Sequence, residues 1–208
     1  RRAPLVDALA ALDADLSDGQ TDNSGDLDPG TYSVAENTPA GWNLTSATCS
    51  DGSQVNAISL QAGETVTCTF DNLKLATLTI VKDADPNDLQ DFTFTRSFGA
   101  NFLLDDDQSV FGGDTTLLAA STFPNLTPGS YTVTETIPNS FWTFNGVTCV
   151  NTVGGAPYPM TSVTNGMTVN LTPGTDVTCT FVNEKESPTR TQGFWQTHTN
   201  FTSSVASS

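Results

Sequence analysis

Leu126-Thr127-Pro128-Gly129-Ser130-Tyr131-Thr132-Val133-Thr134-Glu135-Thr136-Ile137-Pro138 is the stretch that decides how this chain is read, because the chain writes it twice. The earlier copy is Leu27-Asp28-Pro29-Gly30-Thr31-Tyr32-Ser33-Val34-Ala35-Glu36-Asn37-Thr38-Pro39. In each, a Pro-Gly turn runs into alternating Tyr, Val and Glu positions, the pattern of a chain reversal followed by a half-buried strand. The period of two puts the carboxylate on the same side as the core residues. An inward charge on a strand is costly unless it has a partner, so Glu36 and Glu135 both ask for one.

Working outward, the cysteines repeat as well. Ala47-Thr48-Cys49 and Val147-Thr148-Cys149 match, and so do Val66-Thr67-Cys68-Thr69-Phe70 and Val177-Thr178-Cys179-Thr180-Phe181. Two cysteines per repeat, no Cys-x-x-Cys pair and a single histidine argue against zinc and for disulfides 49–68 and 149–179. Disulfides in a Ser/Thr-rich chain place the protein in an oxidising compartment, outside the cell or on its surface.

The chain has 208 residues, and the duplication divides it into two units of roughly a hundred residues each. Seven Lys and Arg stand against 23 Asp and Glu, a formal charge of −16. So acidic a chain, with no basic stripe, is not expected to bind nucleic acid. No run of 18 apolar residues occurs, so no membrane-spanning helix is expected. The chain opens at Arg1-Arg2 without Met, which fits a processed, exported protein and equally a trimmed boundary.

Alternating apolar patterns mark strands near residues 32–35, 43–48, 55–60 and 64–71 in the first unit. In the second they fall near 77–82, 92–96, 117–123, 131–136, 142–149, 167–171 and 176–183, with an acidic loop at 105–107. No segment longer than about ten residues holds a helical period. The expectation is an all-β protein of two tandem Ig-like or prealbumin-like antiparallel β-sandwiches. The boundaries are 1–74, 75–186 and a C-terminal extended tail, 187–208.

The two repeats are unequal. Leu12-Asp13-Ala14-Asp15 matches Leu104-Asp105-Asp106-Asp107, yet residues 75–103 precede the second landmark and only 1–11 precede the first. The opening strands at 77–82 and 92–96 therefore have no counterpart in the first unit. A sandwich lacking its opening strands exposes an apolar groove and an unpaired edge. The tail, with Phe194, Trp195, Phe201 and Val205, is rich in β-formers and follows the complete unit. It is the candidate donor strand for the incomplete unit of the next subunit, a head-to-tail contact that does not close on itself and so builds a filament. A tail that docks elsewhere or stays free is the competing expectation.

Three segments carry a resemblance: Leu78-Thr79-Ile80-Val81-Lys82-Asp83, Pro128-Gly129-Ser130-Tyr131-Thr132-Val133-Thr134-Glu135 and Phe181-Val182-Asn183. With these the chain resembles the prealbumin-like, CnaB-type (SpaA-like pilin) domains of microbial surface proteins, over most of 75–185 and the C-terminal two-thirds of 1–74. The resemblance implies that Lys82 and Asn183 can join as an isopeptide assisted by Glu135. The first unit keeps Glu36 and Asn72 but has no matching Lys, so an intramolecular bond there is not expected.

Other chemistry is thinner. Paired acids lie in loops without a cleft, and His198 sits in the tail, so no enzyme is expected. The clusters Asp13-Asp15-Asp18-Asp22 and Asp83-Asp85-Asn87-Asp88 have the oxygen spacing of calcium loops without completing an EF-hand, so solvated turns are favoured over calcium. Four Asn-x-Ser/Thr sequons, at Asn43, Asn125, Asn170 and Asn200, are candidate glycan acceptors. The function expected is a non-enzymatic structural subunit of an extracellular or cell-surface fibre whose partner is itself. The alternative is a monomeric adhesin or carbohydrate-binding stalk module.

Overall fold

A computed structural model describes residues 16–107 and 117–186, and every regular element among them is a β-strand. Among these residues no helix is long and apolar enough to cross a membrane. The chain separates into two compact units, Arg1–Ala76 and Thr77–Ser208.

The first unit contains β1 (Gly30–Tyr32), β2 (Trp42–Cys49), β3 (Ile58–Leu60) and β4 (Cys68–Lys74). β1 pairs antiparallel with β3, and β2 with β4. The Pro-Gly turn is closed by the Tyr32 hydroxyl, which donates to the Asp28 carbonyl at 2.6 Å. The expected strand at 32–35 stops at Tyr32 because its ladder with β3 runs only that far, continued by one bond from Val34 N–H to the Val55 carbonyl at 2.8 Å. The strands expected at 55–60 and 64–71 start later, at Ile58 and Cys68, and the second runs on to Lys74.

The second unit contains β5 (Ala76–Asp85), β6 (Phe92–Arg96), β7 (Phe102–Leu104), β8 (Ala120–Leu126), β9 (Gly129–Thr136), β10 (Trp142–Asn151), β11 (Met160–Val163), β12 (Gly166–Leu171) and β13 (Asp176–Lys185). They form one sheet in the order β10-β13-β5-β8 and another in the order β11-β12-β9-β6-β7. β7 and β11 are the strands that alternation missed; three and four residues are too few to display a period of two. The inner faces meet through Phe92 against Trp142 and Phe94 against Phe181, both edge-on at ring separations of 5.1 and 5.2 Å. Leu78, Ile80, Val133, Val169 and Val177 complete a core with no solvent exposure. The Tyr131 hydroxyl donates to the Thr127 carbonyl, repeating the bond made by Tyr32. The triplet Asp105–Asp107, expected as an acidic loop, is folded in: Asp105 and Asp107 are buried, and Asp106 accepts the Ala84 N–H at 2.9 Å.

The units differ most in burial. No residue from 16 to 75 is buried, although the first unit carries the same inward residues as the second. Trp42 is 41% exposed where Trp142 is 4% exposed. Half-buried Phe70 corresponds to Phe181, which is wholly enclosed. What encloses the second set is β5 lying beside β13 and β6 lying beside β9, and the first unit has neither counterpart among the described residues.

Each unit is stapled by a disulfide joining residues directly opposite on neighbouring antiparallel strands: Cys49–Cys68 across β2 and β4, and Cys149–Cys179 across β10 and β13. Closing loops of this size stabilises a fold by about 3 kcal/mol. Cys149 and Cys179 are buried, whereas Cys49 and Cys68 are half-buried in a unit with no enclosed core. A mild reductant is therefore expected to release residues 16–74 to proteolysis while residues 76–185 stay resistant. Limited proteolysis with mass analysis of the fragments checks this; equal protection of both units after reduction contradicts it.

Candidate functional site

The alternation of β5, Ala76-Thr77-Leu78-Thr79-Ile80-Val81-Lys82-Asp83-Ala84-Asp85, puts Lys82 on the same face as Leu78 and Ile80. It is 1% exposed, one of the largest side chains fully enclosed among the described residues. β13 runs parallel to β5 with Phe181 aligned to Lys82 and Asn183 aligned to Ala84, which brings the Asn183 side chain to the same face. From the opposite sheet, β9 supplies Glu135, 4% exposed. The Asn165 carbonyl accepts the Glu135 N–H at 2.8 Å, fixing that strand against the tip of the β11–β12 hairpin. Next along, Gly166 lies so close that a Cβ would meet the Val133 carbonyl oxygen at 2.2 Å, so this approach requires a glycine.

The three groups converge on one oxygen. Glu135 Oε1 lies 4.0 Å from Lys82 Nζ and accepts a hydrogen bond from Asn183 Nδ2 at 3.1 Å. Lys82 Nζ also donates to the backbone carbonyl of Asp83 at 2.7 Å and to that of Phe181 at 3.4 Å, and rests 4.2 Å from the centre of the Phe92 ring. Glu135 Oε2 and Asn183 Oδ1 are enclosed without a hydrogen-bond partner.

Burial disfavours both charges. It pushes the Glu135 carboxyl up to about 7, against the opposing pull of Lys82 and the hydrogen bond from Asn183. It pulls the Lys82 amine down, against Glu135, Asp106 and Asp83, which favour its charged form. The arrangement therefore favours a proton-bearing carboxyl beside an amine that readily gives up its proton, with a primary amide in contact.

Sequence reasoning named Lys82, Glu135 and Asn183 but missed Asp106 and Phe92. Asp106 was hidden in an acidic triplet that reads as a loop. Phe92 could have been found, since the alternation of Phe92 and Phe94 already placed both on the inward face.

The other candidates lie apart from this cluster. Asn43 on β2, Asn125 on β8 and Asn170 on β12 are exposed, and Asn125 has a left-handed backbone with φ 59°. Asp83 and Asp85 project outward from β5, and Asn87 donates to the Asp106 carbonyl at 2.9 Å. Among the described residues no group of three or more His, Cys, Asp and Glu is arranged to hold a metal ion. The donor-strand candidates Phe194, Trp195, Phe201 and Val205, together with Asn200, His198, Asp13 and Asp15, lie outside the described residues.

The first unit holds a partial copy of the cluster. Asn72 Nδ2 on β4 donates to Glu36 Oε1 at 2.6 Å, and among the described residues no lysine forms an ion pair with Glu36.

Comparison with known proteins gives one family and a set of similar structures. The model of the SpaA-type prealbumin-like fold domain matches residues 8–74 and 78–185. One similar structure is a bacterial adhesin from Mobiluncus mulieris containing intramolecular disulfide, isopeptide and ester bond cross-links. It is 13% identical, with a TM-score of 0.40 over 65% of this chain and 53% of the adhesin. Another is the T-13 major pilin of Streptococcus pyogenes, 16% identical with a TM-score of 0.39 over 77% of this chain and 68% of the pilin. The chain thus spans about half the length of the adhesin chain it matches. No curated protein matches it.

The buried carboxyl predicts a pH dependence in a variant that keeps Glu135 but loses its cation. In Lys82→Met the carboxyl loses the neighbour that opposes its upward shift, so its folded pKa lies at about 7 or above, against 4.5 unfolded. A raised folded pKa stabilises fully below the unfolded value, and that contribution is lost as pH rises through the folded one. Lys82→Met is therefore expected to lose roughly 3 kcal/mol of stability between about pH 4.5 and pH 7.5. Adding Glu135→Gln should flatten the profile. Denaturant melts across pH measure it; identical profiles for the single and double variants contradict the assignment.

Proposed function

Because this chain belongs to the family of SpaA-type prealbumin-like fold domains, we propose that it is a non-enzymatic structural subunit of an extracellular or cell-surface fibre, whose second unit is locked by a Lys82–Asn183 isopeptide. The observation that carries this reading is the enclosed cluster of Lys82, Glu135 and Asn183 at the seam between the unit's first and last strands. An enclosed amine, acid and amide are expensive as isolated polar groups. They become useful if they react.

In the reaction, the neutral Lys82 Nζ attacks Cγ of Asn183 while the protonated Glu135 carboxyl hydrogen-bonds the amide oxygen and supports the charge that develops there. The carbon–nitrogen bond to Nδ2 then breaks. The proton lost by Nζ passes through Glu135 to the departing nitrogen, so amine plus primary amide give a secondary amide and ammonia, with no oxidant or cofactor. Turning the Asn183 amide through half a turn brings Oδ1 to the carboxyl for this step.

Such a bond suits a stalk. β5 opens the unit and β13 closes it, and the two are parallel neighbours. Tension along the chain pulls them in opposite directions. A covalent tie between residues 82 and 183 carries that load directly, and the residues between are not stretched.

Strand donation is the assembly mode we propose. β4 pairs only with β2, and β1 only with β3, among the described residues. The tail, residues 187–208, of a neighbouring subunit adds beside β1 as β6 adds beside β9, giving a head-to-tail polymer. The exposed Asn43, Asn125 and Asn170 are its glycan acceptors. A monomeric adhesin is distinguished by saturable glycan binding without polymers.

The intact mass of the full chain is expected to fall short of the disulfide-bonded sequence mass by one ammonia. Lys82→Arg, Glu135→Ala and Asn183→Ala should each restore it, and electron microscopy should show filaments that disappear when residues 187–208 are deleted. An unreduced mass sinks the cross-link, and filaments that survive the deletion sink the donor assignment.

A further inference from the structure

The two sheets of the second unit end in four edge strands, and the fold guards them unequally. An edge strand offers unpaired backbone groups to any other chain, and proteins block it with charge, proline or a bulge. β8, at one edge of its sheet, carries Pro124 inside the strand and a left-handed Asn125 at φ 59°. β10, at the other edge of that sheet, is bulged between Phe144 and Gly146. Its outer side is also partly covered, because the Tyr158 N–H donates to the Cys149 carbonyl and the Asn151 N–H to that of Ala156, both at 2.8 Å. β7 runs straight into Asp105-Asp106-Asp107. β11, Met160-Thr161-Ser162-Val163, has none of these guards: Pro157 and Pro159 stand before the strand, its ladder with β12 is unbroken, and it carries no charge. Among the described residues β11 pairs with β12 alone.

The surroundings are as bare of charge as the strand. The 40 residues from Thr136 to Thr175, which supply β10, β11 and β12, contain no Asp, Glu, Lys or Arg, in a chain of formal charge −16. Thr161, Ser162 and Val163 are exposed. Two copies of so acidic a chain repel each other over most of their surface, and the repulsion is least where this segment faces outward. A cationic partner would be drawn to the acidic segments and away from β11. An uncharged, open edge on a strongly acidic molecule therefore suits a second copy of the same chain.

We infer that β11 pairs antiparallel with β11 of a second copy about a two-fold axis, joining the two five-stranded sheets edge to edge. Such an edge is self-complementary, since the axis gives each copy the same donors and acceptors. The period of two limits the register: for both sheets to keep the same face outward, each residue must stand opposite one of its own parity. An axis through Ser162 satisfies this. Ser162 then faces its own counterpart, and Thr161 faces Val163 of the second copy. Thr161 is aligned with Thr168, between the buried Met167 and Val169, so this Thr–Val contact lies on the outer face. A ladder of four residues is a small contact, so the pairing is weak and concentration-dependent. It closes on itself and joins chains two by two, unlike the head-to-tail contact proposed above, and it stands whether or not the chain polymerises.

Sedimentation velocity of the full chain across a concentration series reads the pairing, with electron microscopy for any filaments. The wild-type chain is expected to pass from one-chain to two-chain particles as concentration rises, and any filaments to lie in pairs. Thr161→Glu with Val163→Glu brings four carboxylates together and should abolish the pairing. Thr161→Lys with Val163→Glu sets each lysine opposite a glutamate of the second copy and should retain it. Both variants alter the same two exposed positions, so a folding defect would affect them alike and the contrast between them reads the contact. A wild-type chain that stays single at every concentration leaves β11 to a different partner and overturns the inference, as does a double-glutamate variant that pairs like the wild type. Loss of pairing in both variants overturns the register.

Discussion

An amine and a carboxyl enclosed together between two sheets set the terms for the rest of the second unit. A buried charge pair is weak evidence of stability, because desolvation offsets most of the attraction. Lys82 is tolerated because its Nζ reaches the Asp83 and Phe181 carbonyls and the face of Phe92, and because Glu135 stands across from it. Those partners come from both sheets and from both ends of the unit's sequence. The cluster can therefore form only when β5, β9 and β13 are all in place, which makes it a check on complete folding.

The two units show what one added layer of strands does to the same residues. Trp42 and Trp142 each begin the strand after the turn-and-strand repeat, and each is paired across to a strand carrying a Cys-Thr-Phe segment. One is 41% exposed and the other 4%. Sequence does not distinguish them locally; neighbours do. The cost of leaving the first set open is the apolar area that β5 and β6 enclose in the second unit, at about 25 cal/mol per Å². Its two short sheets lean accordingly on Cys49–Cys68.

Much of this was legible in the chain because the duplication acts as an internal comparison. The match of Glu36 to Glu135 and of Asn72 to Asn183, and the lack of counterparts to β5 and β6 among the described residues of the first unit, follow from laying one repeat on the other. The resemblance supplied Lys82 as the third member, and its alternation with Leu78 and Ile80 agrees with an inward side chain. Two things were not legible. Strand ends in the first unit depend on ladder partners rather than on side-chain pattern, so β1 stops at Tyr32 although Val34 and Glu36 continue the alternation. Asp105–Asp107 has the composition of a solvated turn, and only the tertiary path that lays it against Ala84 encloses two of its carboxylates.

The position of each covalent tie decides which part of the chain it protects. Cys149–Cys179 closes a loop that lies wholly inside the segment from 82 to 183. With the amide we propose between Lys82 and Asn183, tension would pass through the unit without reaching that disulfide, and its contribution would be to hold β10 against β13 while the unit folds. In the first unit, Cys49–Cys68 spares only the residues between its own ends. Pulling on the chain there loads β1, the turns and the open edges directly.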